Sequence, residues 1–137
     1  MADLTVTAAS VLFTSGTKVS SYNAGEAITA GQAVYLKASD SELYKAQADG
    51  TSAEATAVGI ALHASADGQP LTYAAQGSTI NIGATTAKTT TYVVSATAGG
   101  VAPQADLVST NYITRLGYAT ATDGTFKVDI VATGAVV

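Results

Sequence analysis

The stretch AVYLKASDSELYK, residues 33–45, decides the fold class. Val34 and Leu36 alternate with Tyr35 and Lys37, and a period of two sets each pair on one face of a strand. Ser39, Asp40 and Ser41 follow, short polar side chains that bond their own backbone and so favour a turn. Leu43-Tyr44-Lys45 then reads as the returning strand, and the segment predicts a β-hairpin.

The same grammar extends outward in both directions. Val58, Ile60 and Leu62 alternate with Gly59, Ala61 and His63. Ile80 and Ile82 flank Asn81, while Phe126, Val128 and Ile130 alternate with Lys127 and Asp129. Tyr92-Val93-Val94 is a continuous apolar run, the pattern of a strand covered on both faces. Asp67-Gly68 and Asp123-Gly124 are turn dipeptides, Pro70 follows the first of them, and Pro103 reads as a loop residue. One helical signal stands out: Thr51-Ser52-Ala53-Glu54 has the spacing of a capping box and predicts a single turn of helix. Val58-Gly59-Ile60-Ala61 and Leu116-Gly117-Tyr118-Ala119 share a pattern, and each leads through an Asp-Gly turn into another strand. They predict equivalent hairpins in a pseudo-symmetric barrel, with each Gly at a bulge or a close backbone approach.

Composition narrows the chemistry. The 137 residues include 28 Ala, 21 Thr and 13 Gly, but no Cys and no Trp. A disulfide framework, a thiolate metal site and a Cys nucleophile are excluded. Charged residues are 12% of the chain and the net charge is −4, which disfavours an electrostatic grip on nucleic acid or anionic lipid. Leu, Ile, Val and Phe total 29, so the expected core is thin and filled with Ala, and a partner surface would add buried area. No segment approaches the about 20 apolar residues of a membrane helix. Met1 to Thr5 has no basic n-region, so the expected origin is a cytoplasm.

The candidates for catalysis are few. His63 is the sole imidazole and reads as a partly exposed structural residue on the Gly59 and Ala61 face. Of the ten acids, Asp40, Asp49, Asp67 and Asp123 sit at turns, where backbone bonding explains them. There is no Gly-x-Ser-x-Gly elbow, no calcium loop and no zinc ligand set. Catalytic, cofactor and metal residues are therefore expected to be absent, and the chain is not read as an enzyme. The seven tyrosines (22, 35, 44, 73, 92, 112 and 118) offer apolar area with a polar tip, suited to interfaces or sugar stacking, although Tyr is also a good strand residue.

Specific stretches then carry a resemblance. AGEAITAGQAVYL (residues 24–36), a Lys-Ala-Ser-Asp turn and Leu43-Tyr44-Lys45-Ala46 resemble the opening of a family of tailed-phage capsid cement, or head decoration, proteins. AVGIALHASADGQPLTYAAQG (residues 57–77), YVVSATAGGVAP (92–103) and LGYAT (116–120) are similar to its later segments, in the same order. The resemblance implies a small β-rich domain on the outside of an assembled head. There it would act as a homotrimer at local threefold positions and clamp neighbouring major capsid subunits. It offers no catalytic residues. Gly25, Gly31, Gly59 and Gly117 match the pattern and are read as turn and packing positions.

The expectation is thus a mainly β, single-domain barrel or sandwich with at most one helical turn. Residues 24–137 form the cement domain. Residues 1–23 are an N-terminal arm or edge strand and a possible capsid contact, with Leu4, Val6, Val11, Leu12 and Phe13 as candidates. The partner is the major capsid protein, with neither nucleic acid nor membrane involved. The alternative is a virion or cell-surface fibre module that binds glycans. The apolar end, Gly134 to Val137, is a tail that frays or is covered by a neighbouring subunit.

Overall fold

The computed structural model describes residues 4, 6–7, 11–13, 18–84, 86, 88, 90–107, 111–122 and 124–136. The hairpin read at residues 33–45 is present. β3 (Ala33–Lys37) pairs antiparallel with β4 (Glu42–Lys45), with Leu36 opposite Leu43. At its turn the Ser41 N–H donates to the Lys37 carbonyl at 2.9 Å, and the Glu42 N–H donates to Asp40 Oδ1 at 3.0 Å. α1 (Ser52–Ala55) is one helical turn, and its capping box is complete: Thr51 accepts from the Glu54 N–H while the Glu54 side chain accepts from the Thr51 N–H. A 3-10 turn over Gln104–Asp106, which the sequence reading did not foresee, follows β9.

Among the described residues, eleven strands form two antiparallel sheets. Besides β3 and β4 these are β1 (Val11–Phe13), β2 (Val19–Asn23), β5 (Gly59–Ala61), β6 (Pro70–Ala74), β7 (Thr79–Ile82), β8 (Thr91–Val94), β9 (Val101–Pro103), β10 (Tyr112–Ala119) and β11 (Thr125–Val136). One sheet has the order β2-β6-β5-β3-β4, the other β1-β7-β11-β10-β8-β9. Setting β1 aside, the two orders are one topology used twice. In each half a leading strand and two hairpins follow one another, the second hairpin lies between the leading strand and the first hairpin, and a helical turn joins the hairpins. The pseudo-symmetry suggested by the glycine echo is therefore real at the level of connectivity.

The residue correspondence is partial. Gly59 and Gly117 occupy the matching strands, but Ile60 is fully buried while Tyr118 is 37% exposed. The alternation read at residues 58–63 holds in part. Ile60 and Leu62 face the main core and Ala61 the second cluster, but Val58 packs on the second cluster too. β5 is only three residues long, so a strict period of two has little length over which to hold.

The main core lies between the sheets. Ala33, Tyr35, Ile60 and Ala74 face Ile80, Ile82, Tyr92, Val94, Leu116, Phe126 and Val128. Tyr92 and Phe126 anchor it, with ring centroids 5.9 Å apart. Ala46, Ala48, Ala57 and Ala119 fill the remaining inward positions. The β2–β6 sheet is buried on its other face as well. Val34, Leu43, Ala61, Leu71 and Tyr73 pack there beneath Ala24 and Ile28. A bridge between Ala24 and Leu43 brings the two outer strands of this sheet together, so it curls. Tyr92, Val93 and Val94 are all buried, as the continuous run required.

Pro103 is not in a loop. It ends β9 opposite Tyr92, on an edge strand where a missing N–H is tolerated. The apolar end belongs to β11, which runs to Val136 beside Tyr112 of β10.

Candidate contact surface

The first strands lie along one side of the molecule. β1 pairs with β7 and β2 pairs with β6, in a single register: Val11 is opposite Ile82 and Asn23 opposite Pro70, each pair summing to the same number. β6 and β7 are themselves successive, so β1 and β2 flank the corner where the two sheets meet. The ties there are dense. The Lys18 N–H donates to Ser78 Oγ at 2.8 Å, Ser78 Oγ donates to the Lys18 carbonyl at 2.7 Å, and the Ala75 N–H donates to the same carbonyl at 2.8 Å.

Further toward the N-terminus, the Leu4 N–H donates to the Val101 carbonyl of β9, and the Thr7 N–H donates to the Gly83 carbonyl, both at 2.8 Å. β9 and β1 are the opposite edges of the six-stranded sheet. Leu4 therefore lies on one edge of that sheet, while β1 forms the other.

This arrangement sorts the five candidate contacts. Leu4 is half-buried against the main core. Val6 rests on Gly31, where a Cβ would collide with its methyl group. Val11 is buried at 7% exposure. Leu12, on the alternate face of β1, is 59% exposed. Phe13 pairs through its backbone with Ile80, and its side chain lies outside the described residues. Two others stand out: Val19, 57% exposed, which the sequence did not single out, and Tyr22, 42% exposed, one of the seven tyrosines offered as interface residues. They sit in a polar run, VSSYN, that gave no apolar period to notice.

The four glycines have distinct settings. Gly25 lies beneath the Tyr44 ring, which leaves no room for a side chain. Gly31 has φ +86° and receives Val6. Gly59 and Gly117 each press against a carbonyl of the next strand, Ala74 and Lys127 respectively.

Tyr44 organises the hairpin end. Its hydroxyl donates to Asp40 Oδ2 at 2.7 Å, and Lys37 Nζ stands 4.9 Å from its ring centroid. That hydrogen bond holds the Asp40 carboxyl below its ordinary value and, with burial and nearby acids adding, pushes the Tyr44 hydroxyl up to about 12. Tyr35 and Tyr73 are raised too, chiefly by burial. Arg115 pairs with Asp129 at 2.7 Å across β10 and β11.

Compared with protein-family models and with curated proteins, the chain matches none.

The other groups named from sequence stay apart. Gln47 Nε2 donates to Asp49 Oδ1 at 2.6 Å, a local turn bond. Asp123 lies outside the described residues. His63 bonds backbone on both sides, to Ala64 and Thr72. Among the described residues, no three His or acidic groups gather to hold a metal. A cleft of ≈ 210 Å³ under the N-terminal segment, lined by Leu4, Val6, Gly31, Gln32, Gly99 and Gly100, is smaller than a typical ligand pocket.

Proposed function

We propose that this chain is a capsid cement protein that binds the outside of an assembled phage head as a homotrimer and clamps neighbouring major capsid subunits. One observation carries the reading to particular residues. Among the described residues, five large apolar side chains stand exposed, and three of them, Leu12, Val19 and Tyr22, lie on the edge strands β1 and β2. The segments that resemble the cement family support it, because together they build most of β3, β4 and β8, all of β5, β6 and β9, and the second half of β10.

The physics of the role suits such a surface. A protein that binds the assembled lattice and not its free subunits stabilises the lattice by mass action. Weak contacts repeated around a threefold gain from effective concentration. Contact strands already paired within the two sheets lose little freedom on binding.

The test is binding to expanded heads that lack the protein, counted by mass. Saturable, symmetry-matched binding is expected, and the double variant Leu12→Asp, Tyr22→Ser should weaken it at least tenfold with an unchanged melting temperature. No saturable binding by the parent protein overturns the cement reading. Binding that ignores the double variant moves the contact off this edge. Retention on a glycan surface, lost in the Tyr22 variant, favours the glycan-binding alternative.

A further inference from the structure

The geometry points to an acid-sensitive lock at His63 that secures the strand next to the β2 edge. The two ring nitrogens face backbone groups of opposite kind. Nδ1 lies 3.0 Å from the Ala64 carbonyl oxygen, which can only accept. Nε2 lies 3.0 Å from the Thr72 N–H, which can only donate. Both bonds exist together in one state of the ring, the neutral Nδ1–H tautomer.

The Nε2 bond replaces a strand bond. In an antiparallel ladder, a hydrogen-bonded pair exchanges two N–H to carbonyl bonds. The Leu62 N–H does donate to the Thr72 carbonyl, at 3.1 Å. The Thr72 N–H does not return to Leu62 and turns instead to the imidazole of His63. The side chain thus stands in for a carbonyl just where β5 ends. A protonated imidazole has no lone pair to offer, so proton uptake leaves the Thr72 N–H without its acceptor.

Thr72 is also the partner of Ser21 in the β2–β6 ladder. Loosening Thr72 therefore loosens the strand on which β2, with Val19 and Tyr22, is laid. The rest of the corner keeps bonds that do not use Nε2: Ser65 exchanges backbone bonds with Ile28 at 2.9 Å, and its hydroxyl, 3.5 Å from Nδ1, donates to the Pro70 carbonyl at 2.7 Å. Acid should open the Thr72 position and not the corner as a whole.

The surroundings supply no other switch. β5 carries no titratable group, β6 carries Tyr73 and β2 carries Tyr22. Lys37 ends the neighbouring β3, and Asp67 lies in the same connection as His63. No ion pair to His63 exists among the described residues.

The experiment is nuclear magnetic resonance on the full chain. At neutral pH the ¹⁵N shifts should report Nε2 as the unprotonated nitrogen, and the protection factor of the Thr72 amide should fall at least tenfold as the single imidazole titrates. His63→Gln, whose carbonyl can accept without titrating, should keep Thr72 protected at both pH values, and His63→Ala should leave it unprotected at both. A protonated Nε2 at neutral pH, or Thr72 protection that ignores the titration, overturns the lock. These readouts need no capsid, so the lock and the cement reading fail separately.

Discussion

Gly59 and Gly117 give the sharpest test of the repeated architecture, because the sign of the effect decides it. In an unobstructed strand, Gly→Ala stabilises by about 0.4–1 kcal/mol through the unfolded chain. Here a Cβ on either residue would run into the backbone carbonyl of the following strand, Ala74 or Lys127. A carbonyl in a ladder cannot rotate away, so the strand must shift. Forcing extra volume into a packed site costs about 1–3 kcal/mol. Gly59→Ala should therefore destabilise by about 1–2 kcal/mol after the unfolded-state gain is subtracted. Gly117 adds a backbone term, since its φ of +155° lies at the limit of what side-chain-bearing residues adopt. Such strain costs about 1–3 kcal/mol, so Gly117→Ala should lose about 2–5 kcal/mol in all. In urea, with a slope of about 2 kcal/mol/M, the midpoints should fall by roughly 0.5–1 M and 1–2.5 M respectively. Equilibrium denaturation followed by circular dichroism measures both. A neutral or stabilised Gly59→Ala would refute the close approach of β5 to β6, and with it the matched role of the two glycines.

Three further outcomes follow from the same structure. Phe126→Ala removes a fully buried ring that packs on Tyr92, and should cost about 3–5 kcal/mol; with an unfolding entropy near 0.3 kcal/mol/K for this length, calorimetry should show a melting temperature about 10–17 °C lower. Thr51→Ala deletes the cap of α1 and should cost about 1 kcal/mol in denaturation, while amide exchange shows the loss confined to the residues around that turn. The Tyr44–Asp40 bond should be intact between about pH 4 and 10: the depressed Asp40 carboxyl loses its share as pH falls through its folded value, and the Tyr44 hydroxyl loses its share as pH rises through about 12. An ultraviolet titration should find Tyr44 ionising late, and Asp40→Asn should bring it back toward 10; an unmoved titration would refute the bond.

Legibility in the sequence follows the range of the contacts. The β3–β4 hairpin, the capping box at Thr51 and the Asp40 turn involve residues a few positions apart, so their residue types announce them. The twin glycines were legible because the carbonyl each one presses on belongs to the next strand of its own hairpin. The N-terminal segment was not. Val6 meets Gly31, Leu4 meets Val101 and Val11 meets Ile82, pairings across 25 to about 100 residues that no local pattern encodes. The polar run VSSYN hid Val19 in the same way, because exposure along β2 is set by what covers its two faces.

The sequence by itself determined that the chain is built from short strands, that its core is rich in Ala, and that it has no cysteine and a single imidazole to do chemistry with. These are properties of residue types and their spacing. Only the tertiary structure decided that one topology is used twice, that the β2–β6 sheet is buried on both faces, and that Leu4, Val6 and Val11 serve the chain's own packing while Leu12 faces out. Those facts depend on which distant segments pair, and alternation records only that a strand has two faces, not what covers each.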